Sequence, residues 1–312
     1  MKHKDFQTWK LPFYLKGLKI EHGHTFKTQE DDAVIVLDTS DENRTYGEIV
    51  FRLPESPHCE DDSRCATGIG KANIESVFRY DFVISASIDT DPIEIECDEK
   101  ALYTDERLID KYEIVRVKPI SKPEVSFTVK EITYPNDMDL KRFLSFLEKL
   151  KKHHEKQTLD RCKEWFKKGM QEGDAVNKFI MYWIAFNSLY SLSNTNKSDE
   201  HDINKLFNNC PKDVNVIIKI FDIHDEIINL LCQKNLTNRH GTKNYSDDLK
   251  KSLSVSQINR KTMRELSLCL WRVRNDVFHG GNMPEDEKIF IGKCASLLKD
   301  IVRSMMYSYV TE

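Results

Sequence analysis

Tyr134-Pro135-Asn136-Asp137-Met138-Asp139-Leu140-Lys141-Arg142-Phe143-Leu144-Ser145-Phe146-Leu147-Glu148-Lys149-Leu150 is where the chain changes its period. Phe143, Phe146, Leu147 and Leu150 recur three and four residues apart, which places them on one face of a helix. Pro135 followed by Asn136 and Asp137 ends one element and caps the next. Upstream the apolar residues alternate; downstream they follow helical spacing. The junction divides the 312 residues into a front domain, 1–134, and a back domain, 135–312. Each is of ordinary domain size.

Working backward from the junction, the front domain reads as strands. Ala33-Val34-Ile35-Val36-Leu37 is a short apolar run that meets the turn-rich stretch Asp38 to Asn43. Gly47 to Leu53 stops at Pro54. Val77 to Ile84, Ile93 to Cys97 and Glu124 to Val129 alternate. Period-2 runs of β-branched and aromatic residues between turn signals predict half-buried antiparallel strands. Some six of them make a sandwich or an open barrel. A short helix is expected about Thr104–Lys111. Gly68-Ile69-Gly70-Lys71 lacks the spacing of a phosphate loop and is expected to be a plain hairpin or loop.

Working forward, amphipathic helices are predicted at about Asp137–Leu150, Leu159–Gln171, Ala175–Ser191, Asp202–Asn208, Asp213–Gln233, Val255–Phe278 and Glu285–Tyr309. A polar loop is expected from Ser193 to His201, inside a loop-rich stretch that runs to Ser254. The fold class is therefore α+β: an N-terminal antiparallel β-rich domain followed by a C-terminal α-helical bundle.

Composition narrows the classes of function. Hydrophobic residues at 39% can build a core, which excludes a wholly disordered chain. No apolar run approaches the roughly 18 residues that a membrane-spanning helix needs. Met1-Lys2-His3-Lys4-Asp5 leads into no apolar signal segment, so a cytoplasmic protein is expected. The eight cysteines are scattered, and reduced, mostly buried thiols are the expectation. His58, Cys59 and Cys65 lack the tight paired spacing of a zinc site, so neither metal nor cofactor is expected. Residues 1–133 carry a net charge of -9 and residues 134–312 a net of +5. An acidic front and a basic back point to different partners for the two domains.

The chemistry concentrates in Leu270-Trp271-Arg272-Val273-Arg274-Asn275-Asp276-Val277-Phe278-His279-Gly280-Gly281. Leu266, Leu270, Val273 and Val277 form a core stripe, and Gly280-Gly281 end the helix in the left-handed conformation. Arg274 and His279 are five positions apart, about 140° around an unbroken helix. They converge only if the helix loosens near its end or the arginine bends round. Asn275 and His279 share a face. A histidine at a helix C-terminus has its imidazolium stabilised by the macrodipole. An arginine offers a planar charged fork for phosphate, and an asparagine adds a neutral donor and acceptor. A phosphate-binding cation with a titratable imidazole is the minimum for metal-free RNA cleavage, in which the ribose 2′-OH attacks the adjacent phosphate.

Arg274 to His279 resembles the signature of the HEPN superfamily (higher eukaryotes and prokaryotes nucleotide-binding domains), an arginine, commonly a polar residue, and then a histidine after four to six intervening positions. Phe179-Ile180-Met181-Tyr182-Trp183-Ile184-Ala185-Phe186-Asn187-Ser188-Leu189-Tyr190 is similar to the aromatic helix that precedes the motif in the Apea-like branch. The resemblance covers at most residues 135–312. It implies a bundle that dimerises with its motifs facing, and a metal-independent endoribonuclease of a defence (abortive-infection or antiviral) or toxin-type system. It implies that Arg274 and His279 are the catalytic pair and that Asn275 supports them. RNA is then the substrate, a second copy the partner, and the front domain the place where a protein or ligand trigger acts.

Plainer readings stand beside these. Arg274 and His279 can pin a helix end. Asn187 either projects into the site or is a satisfied buried amide. Trp183, Phe186 and Tyr190 read as core rather than as stacking platforms. Arg272 and Asp276 read as a solvated ion pair, and the cluster from Lys149 to Lys156 as a solvated face. A non-catalytic dimerising scaffold that binds RNA, nucleotide or protein is the alternative, as is an antitoxin-like partner of a nucleotidyltransferase.

Overall fold

A computed structural model describes residues 6–28, 33–41, 44–54, 62–86, 93–98, 102–104, 136–193, 198–209, 213–238, 240–255, 257–279 and 284–311. The chain divides into two compact units, Met1–Leu144 and Ser145–Glu312.

The first unit is built on an antiparallel sheet. Its strands are β1 (Phe6–Lys16), β2 (His24–Lys27), β3 (Ala33–Asp41), β4 (Arg44–Pro54), β5 (Glu94–Cys97) and β6 (Tyr103–Thr104). The order is β2-β3-β4-β1-β5, with β6 also on β1. The long β1–β4 pair runs from Phe6 opposite Pro54 to Lys16 opposite Arg44. Trp9, Leu11, Phe13 and Leu15 alternate inward on β1, facing the same layer as Ile35, Leu37, Ile49 and Phe51. Pro12 is tolerated mid-strand because its ring nitrogen and carbonyl share one edge. That edge faces β5, where the carbonyl accepts the Asp98 N–H at 3.0 Å, so pairing with β4 loses nothing.

Helix covers the buried face. Helix α1 (Asp62–Glu75) continues through a π-helical turn (Ser76–Asp81) into α2 (Phe82–Ser85). Phe78 meets Phe13 at 5.8 Å between ring centroids and Phe26 at 6.4 Å. Gly70 lies where a Cβ would come within 2.8 Å of Leu11 Cδ2, so the glycine permits close approach of helix to sheet. Two expectations are corrected here. Gly68 to Lys71 is helical, not a hairpin or loop, and Val77 to Ile84 is helical, not a strand. Ile74, Val77, Phe78, Asp81, Phe82 and Ser85 are buried at helical spacing. Tyr80 and Ile84 are buried too, and this second row produced the apparent alternation. Thr104, expected to open a helix, instead belongs with Tyr103 to β6, which pairs with β1. The strand expected at Glu124–Val129, the helix beyond Thr104 and the residues His58 and Cys59 lie outside the described residues. Cys65 is disulfide-bonded, against the expectation of reduced thiols, while Cys97, Cys162, Cys232, Cys269 and Cys294 are in no disulfide. The described strands form one sheet covered by helices.

The unit border falls inside α3 (Asp137–Lys152), later than the junction at Pro135. Phe143 packs edge-on against Phe26 and Phe82 within the first unit. Within the second unit, Phe146 stacks on Tyr307.

The second unit is helical: α4 (Lys156–Gln171), α5 (Ala175–Tyr190), α6 (Asp199–Asn209), α7 (Val214–Ile223), α8 (Asp225–Gln233), α9 (Tyr245–Ser254), α10 (Arg260–His279) and α11 (Glu285–Thr311). Helix α5 is the central element, packed by α4 and α11 and capped by Asp174, whose carboxylate accepts the Asn177 N–H at 2.9 Å. A Cβ on Gly169 would stand 2.6 Å from Tyr182 Cε1, which is why α4 and α5 can close up there. The stretch up to Ser254, expected to be loop-rich, carries α6 to α9. The single helix expected over Asp213–Gln233 breaks at His224, and that over Val255–Phe278 begins at Arg260. Helices α6, α7 and α8 fall where helices are expected, whereas the ten-residue α9 is shorter than the window in which a helical period can be counted. The Gly241 N–H donates to the Asn238 carbonyl at 3.0 Å, and Gly241 adopts φ +66°. Among the described residues no helix is long and apolar enough to cross a membrane.

Candidate functional site

Helix α10 brings Arg274 to the aromatic face of α5. The core stripe of Leu266, Leu270, Val273 and Val277 is buried, which fixes the helix rotation and leaves Arg274 and Asn275 half-buried at its flank. The guanidinium carbon of Arg274 lies 5.9 Å from the Trp183 ring centroid and 4.8 Å from that of Phe278. Phe278 is one turn on, so the arginine side chain runs toward the C-terminal end of α10. Arg274 Nη1 donates to Asn275 Oδ1 at 2.8 Å. Helix α10 is continuous through His279, so the route open to convergence is the bending of the arginine and not a loosening before the histidine. The side chain of His279, and Gly280-Gly281, lie outside the described residues.

The site rests on an aromatic base with unspent donors. Trp183, Phe186 and Tyr190 are all but fully buried, as expected of core. Trp183 packs on Phe186 and Tyr190, with centroids 5.4 and 6.3 Å away. Trp183 Nε1, Tyr190 Oη and Arg274 Nε are each buried without a hydrogen-bond partner among the described residues. Burial pushes the Tyr190 hydroxyl above its usual range; Asp199 adds to the rise and Arg274 opposes it. The hydroxyl has no hydrogen bond of ordinary geometry, yet Trp183 and Asp199 are close enough to influence its ionisation.

Neighbouring acids are already engaged. Asp199 accepts from Trp271 Nε1 at 3.4 Å. Glu200 accepts from Tyr245 Oη at 3.2 Å and pairs with Lys243 at 2.5 Å. Burial first, and Glu200 second, push Tyr245 up to about 12. Arg272 pairs with Asp276 at 2.5 Å, the expected surface ion pair. Arg274 is thus the cation of α10's last turns with no carboxylate of its own among the described residues.

Of the residues singled out from sequence, Arg274 and Asn275 are brought together on Trp183. Asn187 shares an α5 strip with Trp183 and Tyr190 by its spacing. It is half-buried, and its amide makes no hydrogen bond to the other described residues. The reading of a satisfied buried amide therefore gains no support. Sequence reasoning missed Phe278 and Asp199 at this place. The i,i+4 spacing from Arg274 could have flagged Phe278; Asp199 arrives through tertiary packing and carries no local signal. In the basic cluster, Lys149 bonds the Thr311 carbonyl at 2.5 Å and Lys156 pairs with Asp160 at 2.8 Å. Burial pushes the His153 imidazole down.

A second buried polar cluster joins the α7–α8 break to α11. His224 Nε2 lies 2.7 Å from Asp300 Oδ2, and Arg303 Nε is 3.2 Å from Asp300 Oδ1. Burial raises the Asp300 carboxyl, but the His224 hydrogen bond and the charges of Arg303 and Lys299 outweigh it and hold it below the usual range. Among the described residues no group of three or more His, Cys, Asp or Glu is arranged to hold a metal ion.

Comparison of the chain with family models, curated proteins and solved structures returns no match.

Proposed function

We propose that the helical unit is a metal-independent endoribonuclease whose centre is Arg274 at the end of α10, acting with His279. The observation that carries the reading is the pose of Arg274. Its guanidinium lies over the rings of Trp183 and Phe278, is held by Asn275, has no carboxylate partner among the described residues, and sits five residues before the histidine that ends the helix. A guanidinium so held is preorganised for a phosphate, and preorganised charge stabilises a phosphorane most. Two copies supply two histidines across one cleft. One His279 takes the proton from the ribose 2′-OH as its oxygen attacks phosphorus. The other gives a proton to the departing 5′-oxygen. The two arginines bind the non-bridging oxygens, Asn275 orients them, and Asn187 offers its amide to the substrate. The products are a 2′,3′-cyclic phosphate and a 5′-OH end. The acidic front unit takes the role of sensing or restraint in a defence or toxin-type system acting in the cytoplasm.

End analysis tests this chemistry. Cleaved RNA must carry 2′,3′-cyclic phosphate, and a 2′-O-methyl group at the scissile nucleotide must block cutting. Products with 3′-OH ends, or cutting of the methylated strand, contradict it.

One observation favours a second reading. The buried Nε and the packing against Trp183 also suit an arginine that fastens α10 to α5. The unit is then a dimerising RNA- or nucleotide-binding scaffold, and Arg274→Ala lowers stability with no activity to lose.

A further inference from the structure

Phe278 is half exposed, at 53%, and it is the one exposed Phe, Tyr or Trp ring among those whose burial is described. Lone exposed apolar residues are ordinary. This one is not placed at random. It directly precedes His279 and lies one turn after Arg274, whose guanidinium carbon is 4.8 Å from the ring centroid. One side of the ring is therefore backed by a planar cation, and much of the remainder faces solvent. Within the guanidinium, one N–H of Nη1 goes to Asn275 and Nε is buried, so the second N–H of Nη1 and the two on Nη2 are the donors left for an incoming oxygen acceptor. A phosphate drawn there brings its attached nucleoside alongside the ring.

We propose that Phe278 is a stacking platform for the nucleobase next to the phosphate bound by Arg274. The assignment rests on the ribonuclease reading and adds to it the residue that grips the base. An aromatic face accepts any base, since every base has a π-face, and a guanidinium behind the ring strengthens the stack. The flanking surface argues for this occupant over a protein. Beside the ring lies the Arg274 guanidinium, a cation that suits a phosphate-bearing ligand rather than an apolar protein face. A stable contact between copies needs about 800 Å² per partner, with an apolar centre.

The test uses the full chain and 2′-O-methyl oligoribonucleotides, which lack the attacking hydroxyl, beside an abasic strand of the same length. Wild type, Phe278→Ala and Phe278→Trp are compared by fluorescence anisotropy, with molar mass measured for each. The expected result is binding of the base-bearing strand weakened about tenfold or more by Phe278→Ala and retained by Phe278→Trp. Binding of the abasic strand is the same in all three. Equal binding by wild type and Phe278→Ala, equal losses on both strands, or no binding at all overturns the proposal. A Phe278→Ala chain of lower molar mass also overturns it, making the ring a contact between copies. Base-dependent binding without any cleavage of ordinary RNA leaves the platform standing and removes the nuclease reading. Cleavage by wild type and Phe278→Ala at equal rate and with equal site preference does the reverse.

Discussion

Arg274 donates from Nη1 to the Oδ1 of its own chain neighbour Asn275 across 2.8 Å. The bond holds one arm of the guanidinium fork while the ring of Trp183 supports its face. A flexible arginine loses rotamer freedom when it binds phosphate, and here part of that cost is met in the fold.

Removal of the fork should therefore be felt at once. Arg274→Ala is expected to lower the cleavage rate at least 100-fold. Arg274→Lys should restore little, because an ammonium cannot reproduce the planar fork or the stack. Asn275→Ala should cost about 3- to 10-fold, the worth of one charge-assisted hydrogen bond. Single-turnover rates measure all three, and a fully active Arg274→Lys would contradict the role given to the fork.

The unpartnered Tyr190 hydroxyl gives a stability prediction of opposite sign for two substitutions. Tyr190→Phe deletes a buried donor that has no hydrogen bond of ordinary geometry among the described residues, and should be neutral or stabilising by up to about 1 kcal/mol. Tyr190→Ala leaves a cavity beside Trp183 and Phe186 and should cost about 3–5 kcal/mol. Urea unfolding distinguishes them. A large loss in Tyr190→Phe would mean that the hydroxyl has a partner after all.

The pair of His224 and Asp300 sets an acid limit. The folded-state pKa of Asp300 is depressed relative to the unfolded value near 3.9. Its stabilisation is therefore present above that unfolded value and is lost as pH falls through the folded one. Wild-type urea midpoints should fall steeply below about pH 4, and Asp300→Asn should show a shallower fall from a lower start. Parallel curves for the two proteins would remove Asp300 from the acid transition.

Buried thiols should be inert in the native state. Burial raises the pKa values of Cys162, Cys269 and Cys294, whereas Cys97 is half-buried. Iodoacetamide at about pH 8 should label Cys97 first among these four and reach the others only in urea. Native labelling of Cys162 at the unfolded rate, read by peptide mass, would contradict its burial.

The long amphipathic helices were legible because their core stripes repeat over several turns, as Leu266, Leu270, Val273 and Val277 do on α10. The Ala33–Leu37 and Gly47–Leu53 runs likewise proclaimed β3 and β4. The central strand β1 was missed although Trp9, Leu11, Phe13 and Leu15 alternate, since Pro12 interrupts the run. The Val77–Ile84 segment misled because a helix buried on more than one side supplies apolar residues at both even and helical spacing. At the site, Arg274 and Asn275 were readable from a motif, but what holds them was not. Trp183 lies about 90 residues earlier, and only the packing of α5 on α10 brings it under the guanidinium.

The most direct measurement is the rate at which the purified full chain cuts labelled RNA in excess EDTA, wild type beside His279→Ala of matched melting temperature. The account predicts cleavage by the wild type and loss of at least 100-fold in His279→Ala. Equal rates in the two proteins, or a wild type that leaves the RNA intact, would contradict it.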